Sequence, residues 1–438
     1  MAASAKPKVR HAGSGKVQVA YQVLGRGSVN LVLTPWSVSH LDYFWEEPAL
    51  RRFLEALGGF ANVAIFDKRG TGLSDRNSGA PTFEERVDDL RTVMDAAMFN
   101  DAVLVGMSEG VPTSILFAAS NPSRTRGLVL IGGGAKGMRA PDYPWGGTKE
   151  QYEASFKWAR QNWGSKNWED RAVSILAPTR VGDAAFTRWL GDLRRNGASL
   201  ETSIALAKSE MMTDVRGVIP AVNVPTLVVS IAGDKACDRG EGQYLAANIP
   251  GANLIELPGA DHMFFVDPDL ANEVAREVER FATSVGPTTP TDRALTTVLS
   301  TEIFDLRHNS IVRDAIQKFG GREVKNTGGI FLATFDAPTW AVRCAWAVTL
   351  SAKELKTKAR AGIHTGVCVL GLSDVGGIAV DLASPILNEA KGGEVMTSEI
   401  VKNLAYGSPI SFRDRGERKL KVKGVEETHR LFSVERIG

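Results

Sequence analysis

The chain is 438 residues long, 43% hydrophobic and 23% charged, with 44 Gly and 19 Pro. It is too long for one ordinary domain and too apolar for a wholly disordered, collagen-like or disulfide-scaffold protein. Its 52 Lys and Arg against 50 Asp and Glu leave a net charge of +2, too weak a field to hold a polyanion, so no nucleic-acid partner is expected.

Residues 1–10 hold no apolar run of the kind that makes a secretory signal. No later stretch reaches the ~18 apolar residues of a membrane span, so no membrane association is expected. From residue 29 onward, strand and helix signals alternate. Short apolar runs at 29–33, 62–66, 102–105, 127–131 and 225–231 predict strands buried on both faces. Helical patterns, for example at 83–98 and 112–119, lie between them. This order predicts an α/β fold, with a mostly parallel sheet covered on both sides. Residues 132–224 break the rhythm and hold Trp145, Trp158, Trp163, Trp168 and Trp189. An insertion of this length, with helical stretches at 150–162 and 200–212, predicts a helical cap at about 136–222. Its Trp residues are expected to pack the cap onto the body. Residues 283–292 are polar, with a Gly and two Pro, and predict a linker at 286–294 between domains at 1–285 and 295–438. Cys237, Cys344 and Cys368 stand far apart, so neither a disulfide framework nor a zinc spacing is expected, and a reducing cytoplasm is the expected compartment.

The chemistry is expected at Gly106-Met107-Ser108-Glu109-Gly110, which follows one predicted strand and opens a predicted helix. A serine at so sharp a turn needs small residues two before and two after it, and the following helix aims its N-terminal N–H groups at the hydroxyl. Serine alone is a poor nucleophile and needs a base and an orienting acid. His262 lies in a Gly-rich loop after a late apolar run at 253–257. Asp234, just past the strand at 225–231, is the first choice of acid, and Asp238 is the alternative. Asp261, beside the histidine, reads as a loop cap. An oxyanion needs two donors. One is expected from the Glu109 amide, and the other from the loop after residue 33, with Ser37 the first choice and Trp36 the alternative. His40 reads as structural.

On these residues, together with Asp67-Lys68-Arg69-Gly70-Thr71-Gly72-Leu73-Ser74-Asp75, the first 285 residues resemble the α/β-hydrolase superfamily. The resemblance implies that the 67–75 turn braces the oxyanion loop. Pro35-Trp36 departs from the His-Gly or Pro-Gly usual before the oxyanion donor, and the indole is expected to fill or reshape the acyl side of the pocket.

Residues 295–438 resemble the class III nucleotide cyclase catalytic domain, through 319–324, 331–335, 361–366, 374–380 and 412–416. The resemblance implies a ferredoxin-like α+β sheet that pairs with a second copy, with strands at 329–335, 359–369 and 394–397. It also implies a dead site. The first metal-binding Asp is replaced by Glu302 and the second by Gly329. The ribose-fixing Asn is replaced by Asp381 and the transition-state Arg by Pro385. The connection between 304 and 319 is short by more than a helix. Lys325 matches the base-selecting Lys. The basic run at 413–423 is interleaved with Asp414 and Glu417 and reads as a solvated hairpin face.

The expectation is an α/β-hydrolase fold with a helical cap, followed by an α+β ferredoxin-like cyclase-homology domain without activity. Ser108, His262 and Asp234 would cleave a carboxylic ester or lactone, with no metal and no organic cofactor. The partner would be a small-molecule ester whose hydrophobic or aromatic group the Trp-rich cap selects, and the second domain would form a homodimer. The alternative is a nucleotide cyclase whose hydrolase half is a sensor. A third reading is a ligand-binding signalling protein with both sites dead. Amidase, lactonase and perhydrolase chemistry stay open.

Overall fold

The computed structural model describes residues 6–76, 80–288, 291–371 and 375–438. Residues 1–5 of the N-terminal segment, 289 and 290 of the expected linker, and Asp374 of the cyclase-like segment lie outside the described residues. The chain divides into two compact units, drawn mainly from the residues before and after this linker.

The first unit is built on an eight-stranded sheet. Its strands are β1 (Arg10–Ser14), β2 (Val17–Leu24), β3 (Val29–Thr34), β4 (Ala61–Phe66), β5 (Ala102–Met107), β6 (Thr125–Ile131), β7 (Thr226–Ile231) and β8 (Asn253–Leu257). They are ordered β1-β2-β4-β3-β5-β6-β7-β8. From β4 to β8 all neighbours are parallel, while β2 runs antiparallel to both β1 and β4. The five predicted strands are the five central ones, whose side chains are buried on both faces. β1 and β2 are not among them, because the edge strand β1 alternates exposed and buried residues and the apolar run of β2 is broken by Gln18 and Gln22. Helices Pro48–Phe60 and Pro268–Ser284 pack together against the sheet, burying Leu50, Phe53, Leu54 and Leu57 on one and Leu270, Val274 and Val278 on the other. Each begins with Pro at its first position behind an acidic cap: Glu47 accepts the N–H of Ala49, and Asp267 accepts those of Asp269 and Leu270.

Between β6 and β7 the chain makes four α-helices, Lys149–Asn162, Lys166–Leu176, Ala184–Gly197 and Leu200–Met212, with short 3₁₀ turns at Pro178–Arg180 and Ile219–Ala221. Ser and Thr caps start three of them: Thr148, Ser165 and Ser199 each accept a backbone N–H three residues on. This insertion is fastened to loops at the C-terminal ends of the sheet strands. The Trp189 indole N–H donates to the Tyr43 carbonyl at 2.9 Å, the Gly72 N–H to the Gly197 carbonyl at 2.8 Å, and the Met263 N–H to the Leu176 carbonyl at 2.8 Å.

The second unit is one sheet flanked by helices. Its strands are β9 (Arg293–Ile303), β10 (Arg322–Thr327), β11 (Ile330–Phe335), β12 (Ala359–Leu370), β13 (Val375–Gly376), β14 (Val395–Ser398), β15 (Ile410–Val422) and β16 (Val425–Ile437). The order is β10-β11-β9-β12-β14-β16-β15, with β13 beside β12. The first four strands are mutually antiparallel, and helices Asn309–Lys318 and Pro338–Glu354 form the two crossovers. The expected shortage between 304 and 319 therefore still leaves room for a ten-residue helix. Alternation along the strands feeds two layers. Leu299, Phe331, Ala333 and Ile363 pack on those two helices, while Val298 and Leu332 pack on Ala379 and Ala383 of helix Ile378–Glu389. β11 starts one residue later than predicted, because Gly328 and Gly329, at φ 58° and 86°, form the hairpin turn. No helix among the described residues is long and apolar enough to cross a membrane.

Asp67, the first residue after β4, is fully buried. Its Oδ2 accepts the N–H of Leu41 at 3.1 Å and of Leu73 at 2.9 Å, so one carboxylate joins the turn at 67–75 to the end of the loop after β3. Burial pushes this carboxyl up to about 6, against those hydrogen bonds. A folded-state value above the ordinary one means stability that is present at low pH and lost as pH rises from about 4 through about 6. Asp67→Asn removes this titration. The stability difference between wild type and variant, measured by chemical denaturation, should move in the variant's favour across that window. A difference that stays constant from pH 4 to 7 would contradict the assignment.

Candidate active site

β5 ends at Met107, and the chain reverses into helix Gly110–Ser120 within two residues. Ser108 sits at the turn with φ 53°, in the left-handed region that costs a non-glycine residue energy. Two hydrogen bonds hold it there: its N–H donates to the Ile131 carbonyl at 2.9 Å, and its carbonyl accepts the Val111 N–H at 3.0 Å. The crowding explains the flanking small residues. A Cβ on Gly110 would lie 2.2 Å from the Thr34 carbonyl oxygen, and one on Gly133 would lie 2.4 Å from that of Ser108.

His262, in the loop after β8, places Nε2 2.9 Å from Ser108 Oγ and Nδ1 2.7 Å from Asp234 Oδ2. The Asp234 side chain is 1% exposed. Its other oxygen, Oδ1, accepts the N–H groups of Ala236 at 2.7 Å and Cys237 at 3.1 Å, so the carboxylate cannot swing away. Since a carboxylate only accepts, Nδ1 must carry the hydrogen, and Nε2 is left with a lone pair facing the serine hydroxyl. Asp238, the alternative acid, caps helix Arg239–Asn248 by accepting the Gly240 N–H at 2.8 Å. Asp261 points the other way and accepts the N–H and hydroxyl of Thr179, at 3.0 and 2.6 Å, tying the histidine loop to the helical insertion.

The amide N–H groups of Trp36, Ser37 and Glu109 donate to no acceptor among the described residues. The Trp36 indole packs tilted against Phe44 and stacks on Phe265, with ring centroids 5.0 and 5.9 Å away. It also lines a small apolar cavity with Leu33, Phe44, Leu54 and Met107. The ring is thus engaged in core packing. His40 is buried edge-on against Tyr43, and its carbonyl accepts the Phe44 N–H, a structural role. In the insertion, Trp168 and Trp189 are buried, Trp163 packs on Trp168, and Arg171 lies over Trp158. Trp158, Trp163 and Trp168 thus pack within the insertion itself, whereas Trp145, on Tyr244, and Trp189, on the Tyr43 carbonyl, reach outside it. Two further carboxyls, Glu210 and Glu241, are pushed up to about 7, chiefly by burial, and both feel the negative charge of neighbouring carboxylates.

The second unit's singled-out positions are engaged differently. Glu302 accepts from Arg360 Nε at 2.7 Å, and Asp381 lies 2.8 Å from Lys423 Nζ. A Cβ on Gly329 would meet Leu306 Cδ2 at 2.4 Å and the Ile303 carbonyl at 3.0 Å. Pro385 stands inside helix Ile378–Glu389. Lys325 lies on β10, and the basic run lies on the β15–β16 hairpin, as the alternation implied. Among the described residues, no group of three His, Cys, Asp or Glu could hold a metal ion.

Residues 55–269 match the family model described as Hydrolase_4, serine aminopeptidase, S33. The chain is similar to the strigolactone esterase D14 of Arabidopsis thaliana, 25% identical over 177 residues, which cover 40% of this chain and 64% of that protein. It is also similar to the serine hydrolase BPHL of Mus musculus, 26% identical over 275 residues, which cover 60% of this chain and 83% of that protein. Among solved structures, the esterase EaEST from Exiguobacterium antarcticum superposes with a TM-score of 0.55 at 19% identity, covering 64% of this chain and all of that one. The N-terminal part therefore carries an α/β-hydrolase segment with the α/β-hydrolase fold.

The glycine contacts make a direct prediction. Gly110→Ala drives a Cβ into the backbone at the end of β3 and should destabilise by ~1–3 kcal/mol. Gly59→Ala, in a helix where a Cβ would meet nothing within 4 Å, should stabilise by up to ~1 kcal/mol. Thermal unfolding of the two variants reads the contrast, and equal shifts would contradict it.

Proposed function

We propose that the protein is a serine hydrolase that cleaves a carboxylic ester or lactone through an acyl-enzyme on Ser108. The observation that carries this reading is the unbroken chain from Ser108 Oγ through His262 to Asp234, at 2.9 and 2.7 Å, with the serine in a left-handed turn. His262 takes the hydroxyl proton as Oγ attacks the carbonyl carbon, and Asp234 stabilises the imidazolium. The Glu109 amide and that of Ser37, with Trp36 as the alternative, hold the oxyanion. His262 then returns the proton to the leaving alkoxide, and water repeats the sequence to free the acid. The esterase and serine hydrolase relatives support the ester class. The helical insertion, fastened above the strand ends, serves as the cap that selects the substrate's hydrophobic group.

The second unit is read as a cyclase-homology domain that makes no cyclic nucleotide and pairs two copies of the chain. Cyclisation needs two metal ions held by two carboxylates. The ion pair of Glu302 with Arg360 and the absence of space at Gly329 favour this reading over the nucleotide cyclase alternative.

Ser108→Ala should reduce hydrolysis of a panel of aryl, alkyl and lactone esters by on the order of 10⁴-fold while leaving the thermal midpoint near that of wild type. Near-full turnover by the purified variant would reject the nucleophile. The wild type incubated with ATP or GTP and Mg²⁺ or Mn²⁺ should form no cyclic nucleotide, and Gly329→Asp should not restore it. Clear production by either would reinstate the cyclase reading.

A further inference from the structure

Glu109 carries the amide assigned to the oxyanion, yet its side chain is the more unusual feature. It is 2% exposed and lies between two cations that are themselves buried. Lys68 Nζ donates to Oε2 at 2.6 Å, and Arg86 Nη1 stands 2.7 Å from Oε1. The side chains of Lys68 and Arg86 are 7% and 3% exposed. Burial by itself would push the Glu109 carboxyl up, but the two cations reverse this and hold it below the ordinary carboxylate range. Both of its oxygens are therefore held by charge in a place that water does not reach, where such contacts are strong and costly to break.

The two cations come from places that matter to the site. Arg86, on helix Phe83–Ala96, also donates through Nη2 to the Ser209 hydroxyl at 3.0 Å, on the insertion helix Leu200–Met212. Lys68 is the residue after Asp67, whose carboxylate holds the Leu41 N–H at the end of the loop carrying Trp36 and Ser37. Two adjacent side chains of one turn thus reach the two backbone segments that flank Ser108.

We propose that the Glu109 carboxylate, clamped by Lys68 and Arg86, is the device that positions the oxyanion-binding amide. The Asp67–Lys68 pair thereby sets both halves of the oxyanion hole from one turn. The amide itself has no acceptor among the described residues, and the Ser108–Glu109 peptide is held from its carbonyl side by the Val111 N–H alone. The pinned side chain adds a second restraint on that peptide, through the Glu109 Cα. Lys68 and Arg86 are positioning residues here, since neither touches the reacting atoms. An amide turned away from the oxygen it must meet weakens transition-state binding but not ground-state binding.

This inference rests on Ser108 being the nucleophile, and the test separates the two. Full-length wild type, Glu109→Gln and Lys68→Met are compared in ester turnover, in binding of a trifluoromethyl ketone, and in labelling by a fluorophosphonate. Lys68→Met leaves Glu109 paired one to one with Arg86 and keeps the comparison available if Glu109→Gln does not fold. The expected result is a kcat lowered ~10–100-fold in Glu109→Gln and ~10-fold in Lys68→Met, with KM within about twofold. Trifluoromethyl ketone affinity, which depends on the oxyanion contact, should fall in parallel with kcat/KM. Folded variants with turnover within twofold of wild type would overturn the proposal. So would a loss of kcat with unchanged ketone affinity, since a purely structural role predicts that pattern. If wild type itself takes no fluorophosphonate at Ser108, the nucleophile reading fails and the clamp's role falls with it.

Discussion

A serine held at φ 53° between β5 and the helix that follows is the constraint on which the site depends. The conformation costs energy locally and persists because its surroundings over-determine it. β6 fixes the serine's N–H through the Ile131 carbonyl. Gly110 and Gly133 let two other backbone segments approach to distances that no side chain would permit. The parallel sheet brings the ends of β5, β7 and β8 to one edge, and from these ends come Ser108, Asp234 and His262. The order of the side chains in space follows from strand order, since β5, β6, β7 and β8 are consecutive neighbours.

Charge is arranged around this point with unusual density for an interior. Asp234 is anchored by two backbone N–H groups as well as by the histidine, so its negative charge has a fixed position. On the other side of the elbow, Lys68, Arg86 and Glu109 form a desolvated cluster, and Arg86 carries the connection on to the insertion through Ser209. Asp261 makes a second connection, through Thr179. The insertion is thus attached by polar contacts to both the base loop and the elbow. Substitutions in it should reach the site through these attachments even where they do not touch a substrate.

Much of this was legible in the sequence, for identifiable reasons. The central strands announce themselves because both faces are buried, and the elbow because its small residues stand at fixed offsets from a strand end. The order Ser, Asp, His along the chain left only Asp234 against Asp238 to decide, and geometry separates them: one faces the imidazole, and the other caps a helix. The clamp on Glu109 was not read. Its partners lie in other elements, with Lys68 41 residues away, and no local pattern joins them. One signal was available: Glu109 is the only charged residue between Ala102 and Ser120, and a lone charge in so apolar a run needs a buried partner. The packing of Trp36 on Phe265 was equally hidden, because that ring comes from a distant part of the chain.

The proposed mechanism passes through a covalent acyl group on Ser108, which acid quenching during turnover of a slow aryl ester, followed by intact and peptide mass analysis, would trap. One added acyl group per chain is expected, located on the peptide that contains Ser108. Ester turnover with an unmodified protein, or with the acyl group on any other residue, would contradict it.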